Sequence, residues 1–346
     1  PARTLATGQS ATVTASTQGT ANAGQATASS TVVVKQADAQ LSLSAQTFEY
    51  TGIAITNYQN ATYTNADAGN GAVGVDTTKI EYTFYEYTDG QKGTELLDAP
   101  INVGTYWLEA TLVGDTNYTS TPAGNTVTIT PNSSDLKIAD VKYEGIYDGS
   151  EHDLEDLFGE DTVTGLGGVR VEYDVEFTTT NTDAKPGPDA DWEANLTVKD
   201  VADSDSLYYW YKVTPSGNYA VQIGRIPVTI RPATLTLSST LDGTLTKEYD
   251  GNDSFGGTVT VGTSTGVCGG DATITPNAAY ADENVGVGDG YTKDIVVTYT
   301  IEFKENMAGN YQYTGNFTPG SGGEDTWVYT ETKTGAGSIT PRKITV

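Results

Sequence analysis

His152 is the single histidine of the chain, and in Ser150-Glu151-His152-Asp153 it has a hydroxyl and two carboxylates as immediate neighbours. A nucleophilic triad needs a serine presented on a tight elbow and aimed at the imidazole. No elbow glycine pattern accompanies Ser150, so His152 reads as an exposed loop residue. Glycoside hydrolysis needs two carboxylates at a set separation, and among 45 Asp and Glu residues no pair stands out. Hard oxygen ligands for Ca2+ are offered by Asp203-Ser204-Asp205 and by the acids from Asp148 to Asp156. Neither follows the calcium-loop spacing, with its central Gly and closing Glu. The expectation is no catalytic residue and no cofactor, with Ca2+ as the single candidate. Cys268 is the only cysteine, which excludes an intrachain disulfide and a thiolate metal cluster. The aromatic run Tyr208, Tyr209, Trp210, Tyr211 and the set Tyr82, Phe84, Tyr85, Tyr87 have the flat faces that stack on sugar rings. Alternation along a strand sends half of each set into a core, so packing is the plainer reading. Tyr208, Tyr209, Trp210 and Tyr211 are the candidate ligand-binding residues.

The elements that must position these side chains are strands. Tyr147-Asp148-Gly149 and Tyr249-Asp250-Gly251 repeat a motif that begins as Tyr50-Thr51-Gly52, with glycines 97 and 102 residues apart. Apolar runs closed by Pro131, Pro232 and Pro341 recur at intervals of 101 and 109 residues, and Asn117-Tyr118, Asn218-Tyr219 and Asn310-Tyr311 precede them. Three markers in one order and one period describe a tandem array. The expected organisation is 1–36, the closing strands of a preceding repeat or partial domain; 37–131; 132–232; and 233–346, which includes the first strand of a following repeat. Within the repeats, 80–87 reads as a strand with Ile80, Tyr82 and Phe84 on one face, returned by an Asp89-Gly90 hairpin. The segment 154–158 reads as a short helical turn, 169–177 and 295–303 as strands, 181–191 as a loop and 320–324 as a flexible turn. Seven or so short strands per hundred residues make an all-β chain of tandem immunoglobulin-like β-sandwich domains arranged end to end, each closed on its own core.

Composition narrows the partners. The net charge of −27 is spread along the array: 37–131 holds 11 acids and 2 bases, 132–232 holds 20 and 8, and 233–346 holds 14 and 6. Such a surface repels phosphate backbones and anionic headgroups, so neither nucleic acid nor a membrane surface is an expected partner. Neighbouring repeats of the same chain are. No run of eighteen apolar residues occurs, so no membrane insertion is expected in this segment. Both ends fall inside the repeat pattern, so the chain is expected to be part of a longer array.

Tyr249-Asp250-Gly251, Asn284-Val285-Gly286, Gly309-Asn310-Tyr311 and Ile339-Thr340-Pro341-Arg342 resemble the bacterial Ig-like repeats called YDG or MBG domains. The first repeat resembles the MBG variant through Tyr50-Thr51-Gly52, Asn102-Val103-Gly104-Thr105-Tyr106 and Asn117-Tyr118. The second keeps Tyr147-Asp148-Gly149 and Gly217-Asn218-Tyr219 but lacks a clear Val-Gly-Thr-Tyr. The resemblance implies a non-enzymatic segment of a large secreted or wall-anchored bacterial surface protein, adhesin-like in character. Intramolecular Lys-Asn isopeptide bonds occur in similar surface sandwiches, and Lys137, Lys142 and Lys247 lie near repeat starts. A solvated surface amine is the simpler reading of each. The motif residues themselves read as structure: glycine for a positive φ, Asp or Asn to cap the turn, tyrosine to plug the sandwich end. The expected role is a stalk that projects a binding region. The alternative is a binding module for host glycans such as mucin or host proteins such as immunoglobulin, with the divergent second repeat as the binding part.

Overall fold

A computed structural model describes residues 5–65, 74–262, 267–314, 317–319 and 324–345. The chain is all-β, a tandem of immunoglobulin-like sandwich domains. It forms two compact units: Pro1–Lys137 with Val163–Tyr173 and Pro215–Val221, and Ile138–Thr162 with Asp174–Thr214 and Gln222–Val346. No helix of the described residues is long and apolar enough to cross a membrane.

In the first unit a five-stranded sheet runs in the order Gln46–Glu49, Ala123–Thr130, Gly104–Leu112, Ile80–Thr88, Gln91–Glu95. A smaller sheet holds Thr62–Asn65, Ala37–Ser42 and Tyr118–Thr119. The core takes Ala39 and Leu41 from the small sheet and Phe84, Leu108, Ala110, Val127 and Ile129 from the large one. Period-two alternation accounts for this: Ile80 and Phe84 are buried and Tyr82 packs beside them. Asp89 and Gly90 both take positive φ, 53° and 77°, as a two-residue hairpin requires. Ahead of this sandwich, Ser10–Ser16 and Thr27–Val33 form a separate antiparallel hairpin.

Tyr173–Thr180, Tyr208–Pro215 and Gln222–Ile226, which except for Tyr173 and Pro215 belong to the second unit, form one sheet. A second sheet runs Thr246–Glu248, Thr326–Thr340, Thr292–Phe303, Ala272–Tyr280. Ile295, Val297, Tyr299 and Ile301 alternate inward along its central strand and are wholly buried. Separately closed repeats would have separate cores, but one cluster runs from Val141, Phe177 and Tyr209 to Ile301, Phe303 and Tyr311. Tyr147 is one of the bridging residues, its ring meeting Tyr311 across the repeat boundary at 5.4 Å between centroids.

Two local readings change. The strand read from residue 169 starts at Tyr173, because 163–171 folds on itself: Gly165 N–H donates to Val169 O at 2.7 Å and Val171 N–H to Val163 O at 3.1 Å. Gly167 and Gly168, with φ of 67° and 75°, make that reversal possible. Residues 342–345 form no strand. The short helical turn at 154–158 is present as a 3-10 turn over Leu154–Leu157. Except for Glu324, the turn read at 320–324 lies outside the described residues.

Candidate functional site

Each repeat lays its closing strand parallel to a strand near its start. Val127–Thr130 pairs with Gln46–Glu49, Val228–Arg231 with Tyr143–Ile146, and Ser338–Thr340 with Thr246–Glu248. The next tyrosine then fastens the pair, its N–H donating to the closing strand: Tyr50 to Thr130 O at 2.9 Å, Tyr147 to Arg231 O at 2.9 Å, Tyr249 to Thr340 O at 2.8 Å. Two residues on, Gly52, Gly149 and Gly251 turn the chain with φ of 77°, 79° and 82°, a region closed to most L-residues. Where the motif has Asp it caps the turn, Asp148 Oδ1 accepting from Ser150 N–H at 2.8 Å and Asp250 Oδ1 from Asn252 N–H at 3.1 Å. In the second and third repeats the motif thus supplies a left-handed turn and its carboxylate cap.

The same residues also form a socket. At the first junction, Asn218 Oδ1 accepts from Val103 N–H at 2.8 Å and its Nδ2 donates to Asn102 Oδ1 at 3.0 Å. Tyr219 meets Tyr50 edge-on at 5.7 Å, and its hydroxyl accepts from Leu166 N–H at 2.8 Å. Leu166 in turn lies in the notch left by Gly52, where a Cβ would stand 3.3 Å from its Cδ1. Asn132, just after the closing proline, pairs in parallel with Tyr219, and its N–H donates to Asn218 O at 2.9 Å. The buried Asn132 side chain is fully used, donating to Tyr50 O and Asp135 Oδ2 and accepting from Ser134 and Asp135 N–H.

The second junction repeats the tyrosine contact, the filled notch, the Val N–H bond and the parallel linker. Asn310 Oδ1 accepts from Val201 N–H at 2.8 Å and its Nδ2 donates to Asp200 Oδ1 at 2.7 Å. Tyr311 meets Tyr147 edge-on, and its hydroxyl accepts from Cys268 N–H at 3.0 Å. Cys268 fills the notch at Gly149, where a Cβ would stand 2.8 Å from its own. Ala233–Leu235, after Pro232, pairs in parallel with Tyr311–Tyr313. Two differences strengthen this junction. The acceptor for the Asn310 amide is a carboxylate, and the Tyr147 and Tyr311 hydroxyls both donate to Asp271 Oδ2, at 2.7 and 2.6 Å. Burial first, then those bonds to a carboxylate, push both phenols well above the ordinary tyrosine range.

At the third repeat the socket parts are present and open. Tyr249 is 38% exposed, against 3% for Tyr147. A Cβ on Gly251 would meet nothing within 4 Å among the described residues. Gly286 N–H is tied to Ile339 O at 2.9 Å, but Val285 N–H has no hydrogen-bond partner among the described residues.

The remaining candidates are placed as follows. Tyr118 is buried, and Asn117 O accepts from Ala37 N–H at 2.9 Å where linker and Asn-Tyr strand run in parallel. Asp115 supports that turn from within, accepting from Asp76, Asn117 and Tyr118 N–H at 2.9, 2.7 and 2.9 Å. Burial raises its pKa, but these three donors outweigh burial and hold the carboxyl below its usual range. Tyr209 and Trp210 are both buried, with Trp210 Nε1 donating to Thr180 Oγ1 at 2.9 Å. Tyr211 packs edge-on to Phe158, and half-buried Tyr208 lies 4.5 Å beneath the Arg225 guanidinium. His152 stands 3.1 Å from Asp148 Oδ1 beside the Tyr143 ring. Asp203 Oδ2 accepts from Lys199 and Asp200 N–H at 2.8 and 2.9 Å. Lys137 donates to Ser134 O, Lys142 pairs with Glu144, and Lys247 Nζ lies 2.6 Å from Asp250 and 2.8 Å from Asn252 Oδ1.

Sequence reading missed Asp200-Val201, the counterpart in the second repeat of Asn102-Val103. A signal was available: Asn102 stands 15 residues before Asn117, and Asp200 stands 18 before Asn218. Asp271 carried no signal, because only the fold brings it to two tyrosines.

No protein-family model matches the chain, and no curated protein does. Among solved structures, three N-terminal domains of the bacteriophage RB49 highly immunogenic outer capsid protein align at 12% identity, covering 82% of this chain and 93% of that one, with a TM-score of 0.23. Sidekick-1 immunoglobulin domains 1–5 align at 11% identity over 86% of this chain and 58% of that one, TM-score 0.26. The N-terminal four Ig domains of Dscam1 isoform 4.44 align at 10% identity over 91% and 77%, TM-score 0.19. Likenesses this loose say nothing of what the chain does.

Proposed function

We propose that the chain is a non-enzymatic segment of a bacterial cell-surface, adhesin-like protein, built of YDG/MBG-type repeats that act as a stalk for a binding region. The observation that carries this reading is the junction made twice from the same parts: a tyrosine, a glycine notch, a Val N–H and a parallel linker strand. Domains that only needed tethering would do as well on a flexible linker. Hydrogen bonds that join one repeat to the next are what a spacer requires. The spread of acidic charge supports the same reading, because like-charged repeats keep apart from one another and from other copies. The resemblance of the motifs adds the extracellular, wall-anchored setting. Small-angle scattering of the intact chain tests the proposal. An elongated, stiff particle is expected, becoming flexible in the Asn218→Ala, Asn310→Ala double variant, and a compact particle would overturn it.

A second reading, a module for host glycans such as mucin or host proteins such as immunoglobulin, is favoured by one feature of the second repeat. Tyr208 is half exposed under Arg225, and Arg225 also tethers the 181–191 loop through Asp183 at 2.8 Å. A glycan array and a pull-down from mucosal secretions distinguish the readings, since the stalk predicts silence in both.

A further inference from the structure

We infer that the Tyr249 end of the third repeat is a receptor for one more repeat of this kind, entered by an Asn-Tyr strand. This deepens the stalk reading and takes its biological use from it, but the physical case stands on three open valences. At the first two junctions the tyrosine ring receives a tyrosine edge, the glycine notch a side chain, and the Val N–H an asparagine amide oxygen. At the third, Tyr249 is exposed, the space over Gly251 is vacant, and the N–H of Val285 has no partner among the described residues.

The edge for the incoming strand is also set. After Pro131 and Pro232 the linker pairs in parallel with the next Asn-Tyr strand. After Pro341 the chain is held by Lys343 N–H donating to Glu248 Oε1 at 3.3 Å, as Ser133 N–H donates to Glu49 Oε1 at 2.9 Å beyond Pro131. Yet residues 342–345 have no strand partner among the described residues, and Ile344 is 87% exposed. The occupant must therefore bring an amide that accepts from Val285 N–H, an aromatic edge for Tyr249, a small or aliphatic side chain over Gly251 and a strand for 342–345. A glycan or an unrelated protein face would supply one of these. An Asn-Tyr repeat following the proline supplies all four.

The test extends the whole chain by a second copy of residues 132–232 joined after Pro341. Amide exchange at Val285 and chemical modification of Tyr249 are then read by mass spectrometry on peptides that occur once. Exchange at Val285 should slow by about tenfold, Tyr249 should lose its reactivity, and both should revert when Asn218→Ala and Tyr219→Ala are placed in the added copy alone. Unchanged exchange and labelling would overturn the proposal. A measurement on the unextended chain guards against an added copy that fails to fold. Val103 and Val201 N–H should exchange slowly and Val285 fast, and Asn310→Ala should bring Val201 to the Val285 rate. Equal protection at all three would mean that the third socket is closed, and would also overturn the proposal. Failure here with an elongated scattering particle leaves the stalk reading intact, whereas docking in a compact particle removes the stalk and leaves the socket.

Discussion

At the scale of single residues, glycines with the same backbone do different work. Gly149 and Gly251 share a positive φ, so replacing either by Ala costs about 1–2 kcal/mol of backbone strain. Only at Gly149 does the new methyl meet a neighbour, Cys268, which adds about 1–3 kcal/mol of overpacking. Gly149→Ala should therefore lower the denaturant midpoint clearly more than Gly251→Ala, and equal shifts would count against the notch. The Tyr147 and Tyr311 hydroxyls give a pH signature. Their folded pKa lies above the unfolded value of about 10, so the neutral phenols contribute stability in full below that pH and lose it as pH rises toward the folded value. Thermal unfolding between pH 9 and 11 should show a falling midpoint, and Asp271→Asn should change that slope. The glycines and tyrosines were legible in the sequence because their spacing repeats. Asp271 was not, since a carboxylate shared by two hydroxyls has no period to betray it.

At the scale of elements, alternation and turn chemistry carried most of the fold. The 80–88 strand, the Asp89-Gly90 hairpin and the buried face of Thr292–Phe303 follow directly from period-two patterning. The 169–177 strand was misread because Val169, Val171 and Tyr173 alternate, while Gly167 and Gly168 turn the chain just ahead of them. A local hydrogen-bonded reversal then outcompetes the extended form. The cluster shared by the second and third repeats was hidden for a related reason: a tyrosine that packs inside one sandwich and a tyrosine that meets its neighbour look the same in sequence. The Asp115 turn, which precedes the Tyr118–Thr119 strand, makes its own prediction. The folded pKa of Asp115 is depressed, so its contribution is present above the unfolded value near 4 and is lost as pH falls through the folded one. Asp115→Asn should lower the midpoint at pH 7 and flatten its decline between pH 5 and 2. An unchanged acid slope would show that the three backbone bonds to Asp115 add nothing.

At the scale of the whole molecule, 45 acids against 18 bases leave an excess that salt bridges cannot neutralise. Raising NaCl from 10 to 500 mM shortens the screening length from about 30 Å to below 8 Å and should raise the melting temperature by a few degrees, about the shift of 1 kcal/mol. A decrease would mean that exposed ion pairs such as Lys142–Glu144 outweigh the general repulsion. Asn218 and Asn310 share no hydrogen-bond partner, so their alanine substitutions should add within about 0.5 kcal/mol. The parallel pairing of each repeat's closing strand with a strand near its start has one more consequence. When a chain is pulled from its two ends, strands joined in this way slide lengthwise past each other, so every bond between them resists at once and none peels away first. Each repeat thus carries its own mechanical clamp, and stretching single molecules should give a sawtooth of high rupture forces. Proline at Thr128, Thr229 or Ile339 should lower the matching peak and spare the others.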